Sequence, residues 1–131
     1  MSEHRNVELM HKVYAAFGTG DVDTAGSYWT EDAVHHYPGH NPLSGEHHGL
    51  AESIAFAKQM FELTQGKLHM ETVEIGASEN HAFALLRTHY ERNGRVLDMP
   101  FINVARIENG RIAEFWTYPN DVYAMDEFWN S

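Results

Sequence analysis

Cysteine is absent from these 131 residues, which excludes disulfides, a thiol nucleophile and a thiolate metal site. Basic residues are scarce: 9 Lys and Arg stand against 19 Asp and Glu, for a formal net charge of −10 with histidine neutral. That balance speaks against nucleic acid, whose phosphates need a basic surface, and against anionic membranes. Long apolar runs are missing as well. No stretch approaches the roughly 20 apolar residues of a membrane-spanning helix, and Met1-Ser2-Glu3-His4-Arg5 lacks the apolar core of a secretion signal. The expected setting is the cytoplasm, with neither nucleic acid nor membrane as partner.

What remains is a composition suited to a packed interior: 43% hydrophobic and 12% aromatic, in a chain long enough for one domain over residues 1–131 with a real core. Val7, Met10, Tyr14 and Phe17 recur at helical spacing, so a helix is predicted over 3–19, stopped by Gly18 and Gly20. Asp21 caps a short second helix reaching about Trp29. Ala33–Tyr37 reads as a short strand, and Pro38-Gly39-His40-Asn41-Pro42 as a loop. A third helix covers about Leu50–Leu63, with Ile54, Ala57 and Phe61 on one face.

From Lys67 the hydrophobic period falls toward two. Strands are predicted near Lys67–Ile75, His81–Arg92, Arg95–Glu108 and Arg111–Tyr118, with hairpin turns at Asn93-Gly94 and Asn109-Gly110. Asn120-Asp121 caps a final helical turn. Helices first and an antiparallel sheet last define an α+β fold with helices on one face of a bent sheet.

Alternation sorts each strand into two faces. The faces combining large apolar residues with isolated polar ones are expected to line a pocket: Phe83, Leu85, Arg87 and His89; Met99, Phe101 and Asn103; Trp116 and Tyr118. The apolar set expected to face outward is Ala84, Leu86, Tyr90, Ile102, Val104 and Phe115. A slip of one residue in register inverts any of these assignments.

Several stretches carry a family likeness: Tyr14-Ala15-Ala16-Phe17-Gly18-Thr19-Gly20-Asp21, Trp29-Thr30-Glu31-Asp32-Ala33-Val34, Pro38-Gly39-His40-Asn41-Pro42-Leu43-Ser44-Gly45, Gly110-Arg111-Ile112-Ala113-Glu114-Phe115-Trp116 and Asp121 through Trp129. Through them the chain resembles the nuclear transport factor 2-like superfamily, in its ketosteroid isomerase and SnoaL-like polyketide cyclase branch. The resemblance implies a cystatin-like cone, with N-terminal helices packed into a curled, mostly antiparallel sheet, and a homodimer formed through the exposed sheet face. It is strong for the fold and weak for the reaction, because the fold hosts many chemistries.

Residue by residue, the resemblance departs from its better-known members. The isomerase base, a carboxylate before a proline, falls on Tyr37, and a neutral tyrosine with a pKa near ~10 is a poor base. The oxyanion-hole acid falls on Asn103, whose amide can still donate to a developing enolate. The helix-borne oxyanion tyrosine falls closer to Val13 than to Tyr14. Where limonene-epoxide-hydrolase-like members have an Asp–Arg–Asp arrangement, Arg87 remains, and His89 and Tyr118 replace the carboxylates. The cyclase acid–base aspartate has a counterpart in Asp121.

The candidate catalytic set is therefore His89, Asn103, Asp121 and His36. His89 has the pKa range for proton transfer, while Asp121 also reads as a helix cap. His35 and His36 alternate on the first strand, so only one faces inward. Substrate contacts are expected from Tyr14, Phe17, Trp29, His35, Tyr37, Phe56, Met60, Arg87, Phe101, Trp116 and Tyr118, an apolar lining of the kind small molecules occupy. The cluster His35, His36, His40, His47 and His48 could suit a transition metal, but no carboxylate stands at a familiar ligand spacing, so no metal is assigned. The function expected is cofactor-free proton transfer on a small hydrophobic carbonyl compound: isomerisation, cyclisation or dehydration. The alternative is a non-catalytic binding module of the same fold.

Overall fold

A computed structural model describes residues 2–131, with side chains from Glu3 onward. Helix α1 covers Ser2–Gly18, α2 Val22–Gly26 and α3 Leu50–Leu63. The strands are β1 Trp29–Tyr37, β2 Gly45–His48, β3 Leu68–Ala77, β4 His81–Arg92, β5 Arg95–Glu108 and β6 Arg111–Pro119, and α4 covers Val122–Trp129. The α+β expectation holds. Three elements differ from the sequence reading: α2 stops at Gly26, short of the expected Trp29, β1 begins earlier, at Trp29, and β2 forms in a segment expected only to lead into α3.

The six strands make one open sheet in the order β2-β1-β6-β5-β4-β3. All neighbours are antiparallel except β1 and β6, which run parallel, pairing His35 with Phe115 and His36 with Trp116. The sheet thus joins the first strand of the chain to the last. Turns at Asn93-Gly94 and Asn109-Gly110 place all four residues at positive φ, the backbone that tight two-residue hairpins need and that Asn and Gly tolerate.

The helices lie on the concave face. Helix α1 lays Leu9, Met10 and Val13 into the core, and α3 lays Phe56 and Met60 there. Helix α4 closes one end with Met125, Phe128 and Trp129, all buried. Its seat is latched to the loop after β1, where Asp126 Oδ1 accepts from the His40 backbone N–H (2.9 Å) and from Asn41 Nδ2 (2.7 Å). Among the described residues, no helix is long and apolar enough to cross a membrane.

Candidate functional site

Between the three N-terminal helices and the concave sheet lies a cavity of about 90 Å³. At ~10–15 Å³ per water, it has room for about six to nine water-sized groups, the scale of a single-ring molecule. The helices contribute Val13, Tyr14, Phe17, Ser53, Phe56 and Met60; the strands contribute Trp29, His35, Tyr37, Leu86, Tyr90, Phe101, Asn103, Phe115 and Thr117, with Met70 at the edge. None of the described lining side chains is a carboxylate or a cation at neutral pH.

Asn103 is the best-defined polar group. It is only 5% exposed, and its Nδ2 donates to the Tyr14 hydroxyl at 2.8 Å. Its Oδ1 has no hydrogen-bond partner in the protein. One end of the amide meets Tyr14 and the other is left for something else. A buried amide end without a partner costs about 1–3 kcal/mol, so a polar atom of a bound molecule there would recover that loss. Burial pushes the Tyr14 pKa up against the opposing pull of Asn103, and the hydroxyl stays protonated.

His35 is the inward histidine of β1. Its ring is caged by Phe56 at 4.5 Å, Phe115 at 5.0 Å, Trp29 at 5.7 Å and Tyr37 at 6.3 Å between centroids. Nε2 lies 3.3 Å from Thr117 Oγ1. Burial, then the neighbouring His47 and His36, bring its pKa down to about 3, so the imidazole is neutral. Tyr37 points in as well, and its hydroxyl accepts from Trp129 Nε1 at 3.0 Å. Tyr90 completes the lining, its pKa raised by burial and then by Tyr37 and Tyr14.

The structure brings together Tyr14, Phe17, Trp29, His35, Tyr37, Phe56, Met60, Phe101 and Asn103 from the expected set. Val13 and Tyr14 both line the cavity, and Tyr14 is the one bonded to Asn103. Ser53, Tyr90 and Thr117 were not foreseen as lining residues.

Other candidates lie elsewhere. On β4 the buried residues are Ala82, Ala84, Leu86, Thr88 and Tyr90, so Phe83, Leu85, Arg87 and His89 face outward. The reason is steric: α1 packs against β3 and β4, and the alanines leave room for it where the bulkier alternate set would not. His89 is exposed and bonds Asp98 and Glu91, both at 3.2 Å; these two partners raise its pKa. On β6, Phe115 and Thr117 point in, leaving Trp116 and Tyr118 outside, the latter 53% exposed. His36 also faces outward. It stacks on Trp116 (5.3 Å, 7° between planes) and bridges Glu114 and Glu46. Asp121 is exposed at the start of α4, where its carboxylate accepts from the backbone N–H groups of Tyr123 and Ala124: it is a helix cap pointing away from the cavity. The apolar set expected outside is corrected too, since Ala84, Leu86, Tyr90 and Phe115 are buried inside. Among the described residues, no group of three or more His, Asp or Glu is arranged to hold a metal ion.

Comparison with known proteins places this arrangement. The family model described as a SnoaL-like domain matches residues 10–115. The chain is 29% identical to Bal32a from a soil-derived mobile gene cassette, covering 98% of this chain and 99% of that one with a TM-score of 0.95. A Xanthomonas campestris protein of unknown function with a cystatin-like fold is 28% identical, at 95% and 98% coverage and a TM-score of 0.89. An uncharacterized Mycobacterium tuberculosis protein is 22% identical over 130 residues, 98% of this chain and 99% of its own length. With the helix-lined cone, the open six-stranded sheet and a family match over most of its length, this chain belongs to the SnoaL-like domain family.

Proposed function

We propose that the cavity binds one small, neutral, mainly apolar carbonyl compound, seats its oxygen on the Tyr14–Asn103 pair, and supports cofactor-free proton transfer beside that carbonyl, as in isomerisation, cyclisation or dehydration. The supporting observation is the pair itself: Asn103 Nδ2 donates to the Tyr14 hydroxyl at 2.8 Å in the cavity lining, which leaves the Tyr14 O–H to donate to a ligand carbonyl and Asn103 Oδ1 without a protein partner. Donors aimed at a carbonyl oxygen stabilise the negative charge that develops when a neighbouring proton leaves. The absence of charge in the lining favours a neutral ligand, because a buried ion without a partner is costly. His35 is the imidazole in the lining and the group to which a proton would pass.

A second reading, binding without chemistry, is favoured by two observations. No described lining residue is a carboxylate, and a histidine whose pKa is down to about 3 is a weak base.

One experiment separates the two. Cyclohexanone is titrated into the protein in deuterated buffer, with the bound carbonyl stretch followed by infrared difference spectroscopy and exchange of the ring protons by NMR. Binding with a carbonyl band moved to lower frequency, and loss of that shift in Tyr14→Phe and Asn103→Leu, supports the carbonyl seat. Accelerated proton exchange that His35→Gln abolishes supports catalysis, and a shifted band without exchange supports binding alone. A carbonyl band unmoved on binding rules the seat out.

We further propose that two copies pair through the convex sheet face, where Phe83, Leu85, Ile102 and Tyr118 expose apolar surface. A patch of that kind is what an interface requires. Sedimentation of a monomer at micromolar concentration would count against it.

A further inference from the structure

Resting on the carbonyl seat proposed above, we infer that Tyr37 is a second hydrogen-bond donor into the cavity, and that the ligand carries two acceptor oxygens rather than one. The argument starts from an inventory of polar atoms. The Tyr37 hydroxyl oxygen is occupied by the Trp129 indole N–H at 3.0 Å. Its own O–H has no acceptor among the described residues, and Tyr37 both lines the cavity and is 4% exposed. A phenol that accepts one strong hydrogen bond becomes a better donor of its own proton. Tyr14 is built on the same plan, with Asn103 in the role of Trp129. Tyr90, 1% exposed, lines the cavity from β4.

The cavity therefore offers two phenolic O–H groups, those of Tyr14 and Tyr37, that donate to no described residue. A ligand with a single carbonyl would satisfy one of them. The two built donors are also held by separate elements. Tyr14, on α1, is held by Asn103 on β5, and Tyr37 stands on β1, with β6 between the two strands, which puts those strands about 10 Å apart at ~4.8 Å per strand. That span suits oxygens on opposite sides of one ring better than a single oxygen shared by both. The chemical class is a neutral dicarbonyl or quinone-like ring. At this position, where the isomerase resemblance expects a base, the chain holds a donor.

The test compares cyclohexanone with the cyclohexanedione whose carbonyls sit on opposite ring atoms, which is neutral and of similar size. Wild-type protein is expected to bind the dione about fivefold more tightly or better, the weight of one added neutral hydrogen bond. Tyr37→Phe is expected to bring the ratio of the two affinities close to one, while Asn103→Leu weakens both compounds. Because Tyr37→Phe strands the buried Trp129 N–H and can cost stability, the wild-type infrared spectrum is a second readout that needs no variant: both carbonyl bands of the bound dione should move to lower frequency. Cyclohexanone binding with no advantage for the dione, or a dione with one unshifted carbonyl, overturns this inference alone. Failure of both compounds to bind overturns the carbonyl seat and this inference with it.

Discussion

Replacing His35 with glutamine should flatten the acid limb of the stability curve. His35 is 8% exposed inside a cage of four aromatic rings, and its pKa falls from 6.5 to about 3 on folding. Above pH ~6.5 neither state binds the proton and no stability is lost. Below it the unfolded chain takes up a proton that the folded chain refuses, so stability falls by about 1.4 kcal/mol per pH unit until the folded pKa is reached. Between about pH 7.5 and pH 5 the loss amounts to about 2 kcal/mol, a sizeable part of a small domain's total. His89 has the opposite sign: its raised pKa adds stability at low pH that disappears as pH rises through that value. It is fully exposed and common to both proteins, so the difference between wild type and His35→Gln cancels it. Glu114 and Asp21, whose pKa values are lowered, lose their contributions only near and below the ordinary carboxylate range. The assay is urea unfolding of both proteins at half-unit steps across this window. Gln keeps a nitrogen near the position of Nε2 beside Thr117, so the fold is expected to persist. Wild type should lose about 2 kcal/mol more than the variant by about pH 5; parallel curves would refute the claim that His35 is buried and neutral.

Asp121→Ala should cost about 1 kcal/mol of stability by urea unfolding, the usual worth of a helix N-cap, and leave cyclohexanone affinity where it was; a change in affinity would return Asp121 to the site. Gly39→Ala should cost roughly 2–3 kcal/mol, because Gly39 has φ +89 and a Cβ there would lie 2.2 Å from Asp126 Oδ1; a thermal melt within two degrees of wild type would contradict that latch. His89→Ala should leave ligand affinity and the bound carbonyl band unchanged, as befits an outward side chain, and calorimetric titration checks it.

Apart from β2, the element order was legible, as were both Asn-Gly hairpins and the α3 limits, because each rests on local chemistry. The faces were harder to read. The two-residue turn at Asn93-Gly94 pairs Arg92 with Arg95, and counting back from it sets Asn103 opposite Ala84 and Phe101 opposite Leu86. Residues directly opposite share a face, so Asn103 inside requires Ala84 inside and His89 outside. That information was in the sequence, and the attraction of a bulky Phe83/Leu85 face obscured it. On β6 the turn misleads. Counting back from Glu108 and Arg111 would set Asn103 opposite Trp116, but a register shift between Arg106 and Ile107 sets it opposite Thr117, and Ile112 and Ala113 are consecutively buried. A one-residue bulge exchanges the two faces, and nothing in the local composition announces it. The Tyr14–Asn103 contact was hidden for a related reason: helix rotation against the sheet is set by packing, and adjacent Val13 and Tyr14 both reach the cavity.

Each bond that defines the cavity joins remote parts of the chain. Tyr14 and Asn103 are 89 residues apart, His35 and Thr117 82, and Tyr37 and Trp129 92. Such contacts form late, since each closes a long loop before any local reward. While the chain is being synthesised, its helices and even the β4–β5 hairpin can form without any binding site existing. Trp129 must be in place before Tyr37 has its partner. A ligand held in this cavity would therefore act on the last step of folding and on none of the earlier ones.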